Sequence, residues 1–200
     1  MESLRDKHIE DTRRALLETA ARLFAEREYV DLSAEELVRT AGLTRGALYH
    51  HFDGKKGLFE AVVDELEDRA AQRIRAAIDT ATDPFERVDR SLEAFLDVCV
   101  EPDYRHIVLL QGPIALGWRR WREVDRRHLS NLVLEGARNL LDTGLIQPHP
   151  PELLASALYG ALTEMSLTIA ESDDIEKGRA EAAAVARALL SGLTADRPHG

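Results

Sequence analysis

Arg45, Tyr49 and His50 stand at helical spacing around Gly46. At about 100° per residue, Tyr49 lies roughly 40° from Arg45, Gly46 roughly 100° and His50 roughly 140°. The four make one continuous polar arc. Ala47, Leu48, His51 and Phe52 make the opposite arc, which suits packing on neighbouring helices. An arginine on such an arc can bond guanine O6 and N7 in a bidentate manner. The phenol and imidazole can reach a phosphate or stack on a base edge, and Gly46 allows close approach. Thr44, at the helix start, adds a hydroxyl beside free amides that suit a phosphate. The bland alternative is a helical hairpin with solvated charges.

Two other patterns could do chemistry. Asp103-Tyr-Arg-His106 and Asp125-Arg-Arg-His128 are carboxylate–histidine pairs at i, i+3. Di-iron bundles use two Glu-x-x-His motifs with two further carboxylates on other helices. Here both acids are the shorter Asp, and Asp103, just after Pro102, reads more simply as an N-cap, so no metal and no cofactor is expected. The sequence has no Gly-rich phosphate loop, nucleophile elbow or His-Glu-x-x-His run. An enzyme or metal-binding helical bundle with an incidental helix-turn-helix stays as the alternative.

The elements that position these residues are helices. Apolar residues recur at three and four, and no convincing length alternates with period two. The first helix is expected over about Ile9 to Arg27. Ser33-Ala34-Glu35-Glu36 reads as a capping box opening a second, short helix that ends at Ala41-Gly42. Thr44 caps a third, closing near Phe52. Two short helices joined across Gly42 have the form of a helix-turn-helix, whose second helix enters the major groove. A long fourth helix runs from about Lys55 to Thr80. Asp83-Pro84-Phe85-Glu86 starts a fifth, to about Val100. A short helix over Tyr104 to Gln111, a long one after the Gly112-Pro113 break to about Thr143, an apolar one from Glu152 to Ala170 and an alanine-rich one from Ile175 to Leu193 complete the chain.

Composition bounds the reading. The chain has 200 residues, 44% hydrophobic and 31% charged, as a soluble globular protein does. One cysteine, Cys99, excludes an internal disulfide and a cysteine-rich zinc module. The charged N-terminus is unlike a signal peptide. Leu153 to Ala170 is 18 residues of mostly apolar chain, at the lower limit for a membrane span. Glu164 near its middle favours a buried bundle helix, and a cytoplasmic protein without a membrane partner is expected. The net charge of −10 argues against nucleic acid, but it is unevenly placed. From Arg39 to Lys56, four basic residues face Asp53 alone, a net of +3, which leaves −13 for the rest.

The run Ala41-Gly-Leu-Thr-Arg-Gly-Ala-Leu-Tyr-His-His-Phe-Asp-Gly-Lys-Lys-Gly-Leu-Phe59 resembles the signature of the tetracycline-repressor (TetR) family. It follows a helix of the matching type, Thr12 to Phe24, and the close resemblance covers about residues 9 to 63. The resemblance implies an all-α chain: an N-terminal three-helix helix-turn-helix DNA-binding domain over residues 1–54 and a helical ligand-binding and dimerisation domain over residues 55–200. It further implies a homodimeric regulator, usually a repressor, that binds an inverted-repeat operator in double-stranded DNA and leaves it when a small molecule enters the second domain. On this resemblance Arg45, Gly46, Ala47, Tyr49 and His50 face the bases. Thr44, Tyr49, His51 and Lys55 hold backbone phosphates, which differs at His51 from the inner arc assigned above. Asp53 departs from the pattern by placing a negative charge beside Lys55, and capping of the fourth helix is the expected role.

The second domain shares the family's layout but no sequence code. Its last two helices would form the dimer interface, where Ala155, Ala157, Gly160, Ala161 and the alanines from 180 to 188 permit close approach. A pocket for an apolar or aromatic molecule would draw on the aromatic-rich middle helices. The candidates are Phe95, Cys99, His106, Leu110, Trp118, Trp121 and Glu164, the same positions that would also build a plain core.

Overall fold

The computed structural model describes residues 4–144 and 146–194. Among these every regular element is helical, apart from an isolated antiparallel bridge between Ile146 and Thr194. Helix α1 (Leu4–Glu26) is followed by a 3-10 turn (Tyr29–Asp31), α2 (Ala34–Thr40), α3 (Arg45–Phe52) and the long α4 (Lys55–Asp79). Then come α5 (Pro84–Val100), a π-helical stretch (Tyr104–Gln111), α6 (Gly112–Leu116), α7 (Trp118–Asp142), α8 (Pro151–Glu171) and α9 (Ile175–Gly192).

Local chemistry sets most of the boundaries. Ser33 Oγ accepts from Glu36 N at 3.1 Å and opens α2. The Glu36 carboxylate does not complete the capping box; it pairs with Arg27 at 2.5 Å. Thr44 Oγ1 accepts from Ala47 N at 3.2 Å and opens α3. Asp83 Oδ1 accepts from Phe85 N and Glu86 N, at 2.9 and 3.0 Å, and opens α5 with Pro84 in the first turn. Three expectations are corrected. Asp53 does not cap α4; it closes α3 in the left-handed conformation, φ 57°, and Gly54 precedes α4. Asp103 lies in helical backbone and makes no capping bond. The chain does not break at Gly112-Pro113, where the π-helical stretch continues into α6; the interruption falls at Gly117.

The hydrophobic core runs without a gap from the helix-turn-helix into the second half. It passes from Leu16, Phe24, Leu37 and Leu48 through Phe59, Val62 and Leu66 to Leu96, Val108 and Trp121. Helix α4 is its spine: one end packs on α1 and α3, the other on α5 and α7. At 25 residues it is about 37 Å long, enough to join the two halves. Phe24 and Phe59 meet edge to face at 4.9 Å between centroids, and Tyr29 joins them at 5.0 Å from Phe59. By length and composition α8 could cross a membrane, yet it packs on α7, α9 and the π-helical stretch.

Two close approaches fix the joints. At Gly57 in α4 an added Cβ would fall 1.6 Å from the Phe52 carbonyl oxygen, so α3 and α4 meet at a distance only glycine allows. At Gly112 an added Cβ would fall 2.6 Å from Trp121 Cδ1. A strap made by one residue ties the halves together. Gln111 Nε2 donates to Phe24 O at 3.1 Å and to Arg27 O at 3.5 Å, while its Oε1 accepts from Tyr29 N. The first joint carries a prediction. Gly57→Ala forces backbone movement at the α3–α4 corner and lowers stability by about 1–3 kcal/mol in urea unfolding, the usual cost of overpacking. An unchanged midpoint would show that the corner yields freely.

Candidate DNA-reading face and internal cavity

Helix α3 presents two faces, as its spacing requires. Leu48 and Phe52 are buried and pin it to the core, while Arg45, Gly46, Tyr49 and His50 are exposed. Ala47 and His51 lie between, half-buried. Arg45 Nη2 donates to the Tyr49 hydroxyl at 3.4 Å, with the guanidinium 5.5 Å from the ring centroid. The hydrogen bond to Tyr49 raises the Arg45 pKa above its already high value, so the charge is fixed. Tyr49 in turn packs beside Gly54, where an added Cβ would lie 3.2 Å from its ring. The two groups best suited to a base edge and a phosphate are therefore held together facing solvent. Thr44 is exposed; its oxygen serves the cap, which leaves the hydroxyl proton free to donate to a phosphate. Burial, then His50 and Arg13, lower the His51 pKa, so it presents a neutral ring.

Lys55 departs from expectation. Its Nζ donates to Tyr29 O at 2.8 Å and Leu32 O at 2.7 Å, and sits 3.9 Å from the Tyr29 ring centroid. Burial lowers its pKa. In the absence of DNA the ammonium that the sequence offers to a phosphate closes the turn between α1 and α2. No spacing rule reveals this, because the acceptors are carbonyls 23 and 26 residues away.

The second half holds a partly open cavity of about 130 Å³ lined by α4, α5, α7, α8 and α9. Of the ligand candidates, Phe95 and Trp121 line it. The other five do not line it. Cys99 is fully buried in the core away from the cavity, and burial raises its thiol pKa far above the usual range. Leu110 packs against the same core. His106 is near the surface with Nε2 4.0 Å from Glu28. Trp118 is 55% exposed, its ring 5.1 Å from that of Trp121. Glu164 is exposed and does not line the cavity.

Residues that the sequence did not single out complete the wall. Leu129, Leu132 and Leu162 supply apolar surface, and Asp125 and Tyr159 a buried polar end. Asp125 Oδ2 accepts from the Tyr159 hydroxyl, and Arg122 Nη1 lies 3.6 Å from the same oxygen. Nearby, Glu67 is fully buried and accepts from Tyr104 Oη at 3.0 Å. Burial first, then the Asp125 charge, push the Glu67 carboxyl well up, so its neutral form is favoured. The aspartate–histidine pairs do not converge: His128 bonds Asp64 at 3.0 Å while Asp125 faces Tyr159. Among the described residues no group of three or more His, Cys, Asp or Glu is placed to hold a metal ion.

An outward-facing short helix behind a tight turn, mounted on a helical body, defines a helix-turn-helix DNA-binding regulator. Residues 16–62 match the model of bacterial regulatory proteins of the TetR family, and residues 85–193 that of the tetracycline repressor-like C-terminal domain. The crystal structure of a TetR-family transcriptional regulator from Pectobacterium atrosepticum is 37% identical, covers 95% of this chain and 97% of its own, and superposes with a TM-score of 0.83. The transposon Tn10 TetC protein of Escherichia coli is 22% identical over 190 residues, 94% of each chain. The structure of RolR in complex with resorcinol, 20% identical with 95% and 98% of the chains covered, shares the fold at a TM-score of 0.69. The chain belongs to the TetR family of transcriptional regulators.

The reading face yields a paired prediction. Arg45→Ala costs about 1–3 kcal/mol of operator affinity and relaxes preference at one base position. Lys55→Ala leaves two carbonyls without their charged donor and costs about 1–3 kcal/mol of folding stability. The slope of log K against log salt stays as in the wild type, because no phosphate contact is lost. A shallower slope for Lys55→Ala would return that residue to the phosphates.

Proposed function

We propose that the chain is a cytoplasmic repressor that binds an inverted-repeat operator as a homodimer and releases it when a small apolar or aromatic molecule fills the cavity. Residues 1–54 do the reading, and residues 55–200 bind the effector and form the dimer. The observation that carries this reading is a continuous line of contacts from the cavity to the helix-turn-helix. Trp121 lines the cavity and presses on Gly112; its neighbour Gln111 holds the carbonyls at the end of α1. An occupant that displaces Trp121 pulls on the strap and turns α1, and with it α3.

Dimerisation is supported by what a single chain leaves uncovered. Helix α8 is the most apolar, yet only 39% of its most apolar window is buried within the chain. Leu153, Ala157 and Gly160 of α8 and Ala184, Val185 and Leu189 of α9 are exposed. Small and apolar residues on two adjacent helices suit a close-packed isologous contact. A two-fold dimer then presents two α3 helices to half-sites about 34 Å apart or a multiple of it.

Fluorescence anisotropy with the DNA flanking its own gene tests the reading. Saturable binding with two chains per inverted repeat and a steep salt dependence is expected; binding no tighter than to random duplex would overturn it. Val185→Glu gives a monomer in sedimentation at micromolar concentration and loses operator affinity. Gly112→Ala pushes on Trp121 in place of an effector and weakens operator binding while the helical circular dichroism is retained. Operator affinity unchanged in Gly112→Ala would remove the strap from the release mechanism.

A further inference from the structure

The polar end of the cavity defines the chemistry of its occupant, given the effector reading above on which this inference rests. Most polar groups there are already spent. Ser166 Oγ donates to Thr163 O at 2.7 Å, and Thr163 Oγ1 donates to Tyr159 O at 2.8 Å while accepting from Arg122. The Tyr159 hydroxyl donates to Asp125 Oδ2. Asp125 Oδ1 accepts no hydrogen bond among the described residues, and Asp125, a buried residue, lines the cavity. An acceptor on a cavity wall that no protein donor reaches is open to a donor on an occupant.

Charge and size remove the competing chemistries. An anion would bring a second acceptor against the Asp125 carboxyl oxygens, which line this end. A cation would meet two guanidinium groups already stacked at this end, Arg122 at 4.6 Å and Arg126 at 5.6 Å from the Tyr159 ring centroid. A neutral donor meets neither difficulty. The cavity, about 130 Å³, is close to the roughly 150 Å³ apolar hole that accepts benzene. Phe95, Leu129, Leu162 and Met165 supply the apolar walls.

We propose that the cavity binds a neutral single-ring aromatic carrying a hydroxyl, a simple phenol, whose O–H donates to Asp125 Oδ1 while the ring packs between Phe95, Leu129, Leu162 and Met165. The phenol proton is retained at neutral pH, since the group ionises near pH 10. Asp125 thus sets specificity, and the walls set size.

Titration calorimetry of the full chain at pH 7 with phenol, toluene, benzoate and benzylamine tests the assignment. Phenol is expected to bind about tenfold tighter than toluene, the worth of one hydrogen bond. Benzoate and benzylamine are expected to bind more weakly than phenol. In Asp125→Leu the phenol preference over toluene disappears. The wild-type comparison of phenol with toluene stands even if that variant does not fold. Equal or tighter binding of toluene, tighter binding of either ion, or no binding of phenol would overturn the proposal. Operator release is read separately by anisotropy. Phenol that binds without releasing DNA upholds the ligand class and overturns the release mechanism. Release by toluene, with toluene binding as tightly as phenol, upholds the mechanism and overturns the ligand class.

Discussion

The close seat of α4 on α3 is the contact on which the rest depends. With a Cβ at Gly57 only 1.6 Å from the Phe52 carbonyl oxygen, no other residue type fits there without moving backbone. The reading helix is therefore mounted on the start of α4 as on a bracket, with Leu58 and Phe59 buried immediately beyond. The same α4 carries Ile74 and Ile78 into the cavity wall four to five turns later. Reading face and cavity are two ends of one rod. A rod of that length converts a small tilt at one end into a larger displacement at the other.

Electrostatics complements this mechanical arrangement. The chain carries −10 overall, yet the helix-turn-helix segment from Arg39 to Lys56 carries +3. Outside that segment many arginines face carboxylates of the same chain. Arg179 pairs with Glu93 and Asp97, Arg187 with Asp89 and Glu93, and Arg120 with Glu60 and Glu123. Such exposed pairs contribute little to stability. Their effect is on potential: they neutralise positive charge wherever DNA should not bind, and the acidic remainder repels it. An acidic body around a small basic face restricts favourable approach of DNA to that face through long-range repulsion elsewhere.

The sequence made the fold legible because its punctuation is local. Ser33, Thr44 and Asp83 cap the helices they precede, and the angular reading of α3 separates buried Leu48 and Phe52 from exposed Arg45 and Tyr49. The cavity was not legible. Leu129, Leu132 and Leu162 have the spacing of any buried helix face, and periodicity does not distinguish a wall from a packed core. The Asp125–Tyr159 contact joins α7 to α8 across 34 residues, so no motif announces it. Aromatic content pointed to Trp118 as readily as to Trp121, although only Trp121 faces inward. Lys55 shows another limit: its bonds to the Tyr29 and Leu32 carbonyls join residues too far apart in sequence for spacing to reveal.

Trp121 occupies the position where these constraints meet. It is 1% exposed, it lines the cavity, and it rests against Gly112. Its Nε1 is buried with no hydrogen-bond partner, so shape alone holds the indole. A side chain held by packing can shift without breaking a hydrogen bond, whereas the neighbouring Gln111 strap and the Tyr104–Glu67 bond are directional and resist it. The wall between the cavity and the strap is thus held by packing, and the strap beyond it by hydrogen bonds. The strap joins this wall to the end of α1, while the Gly57 corner separately seats α3 on α4.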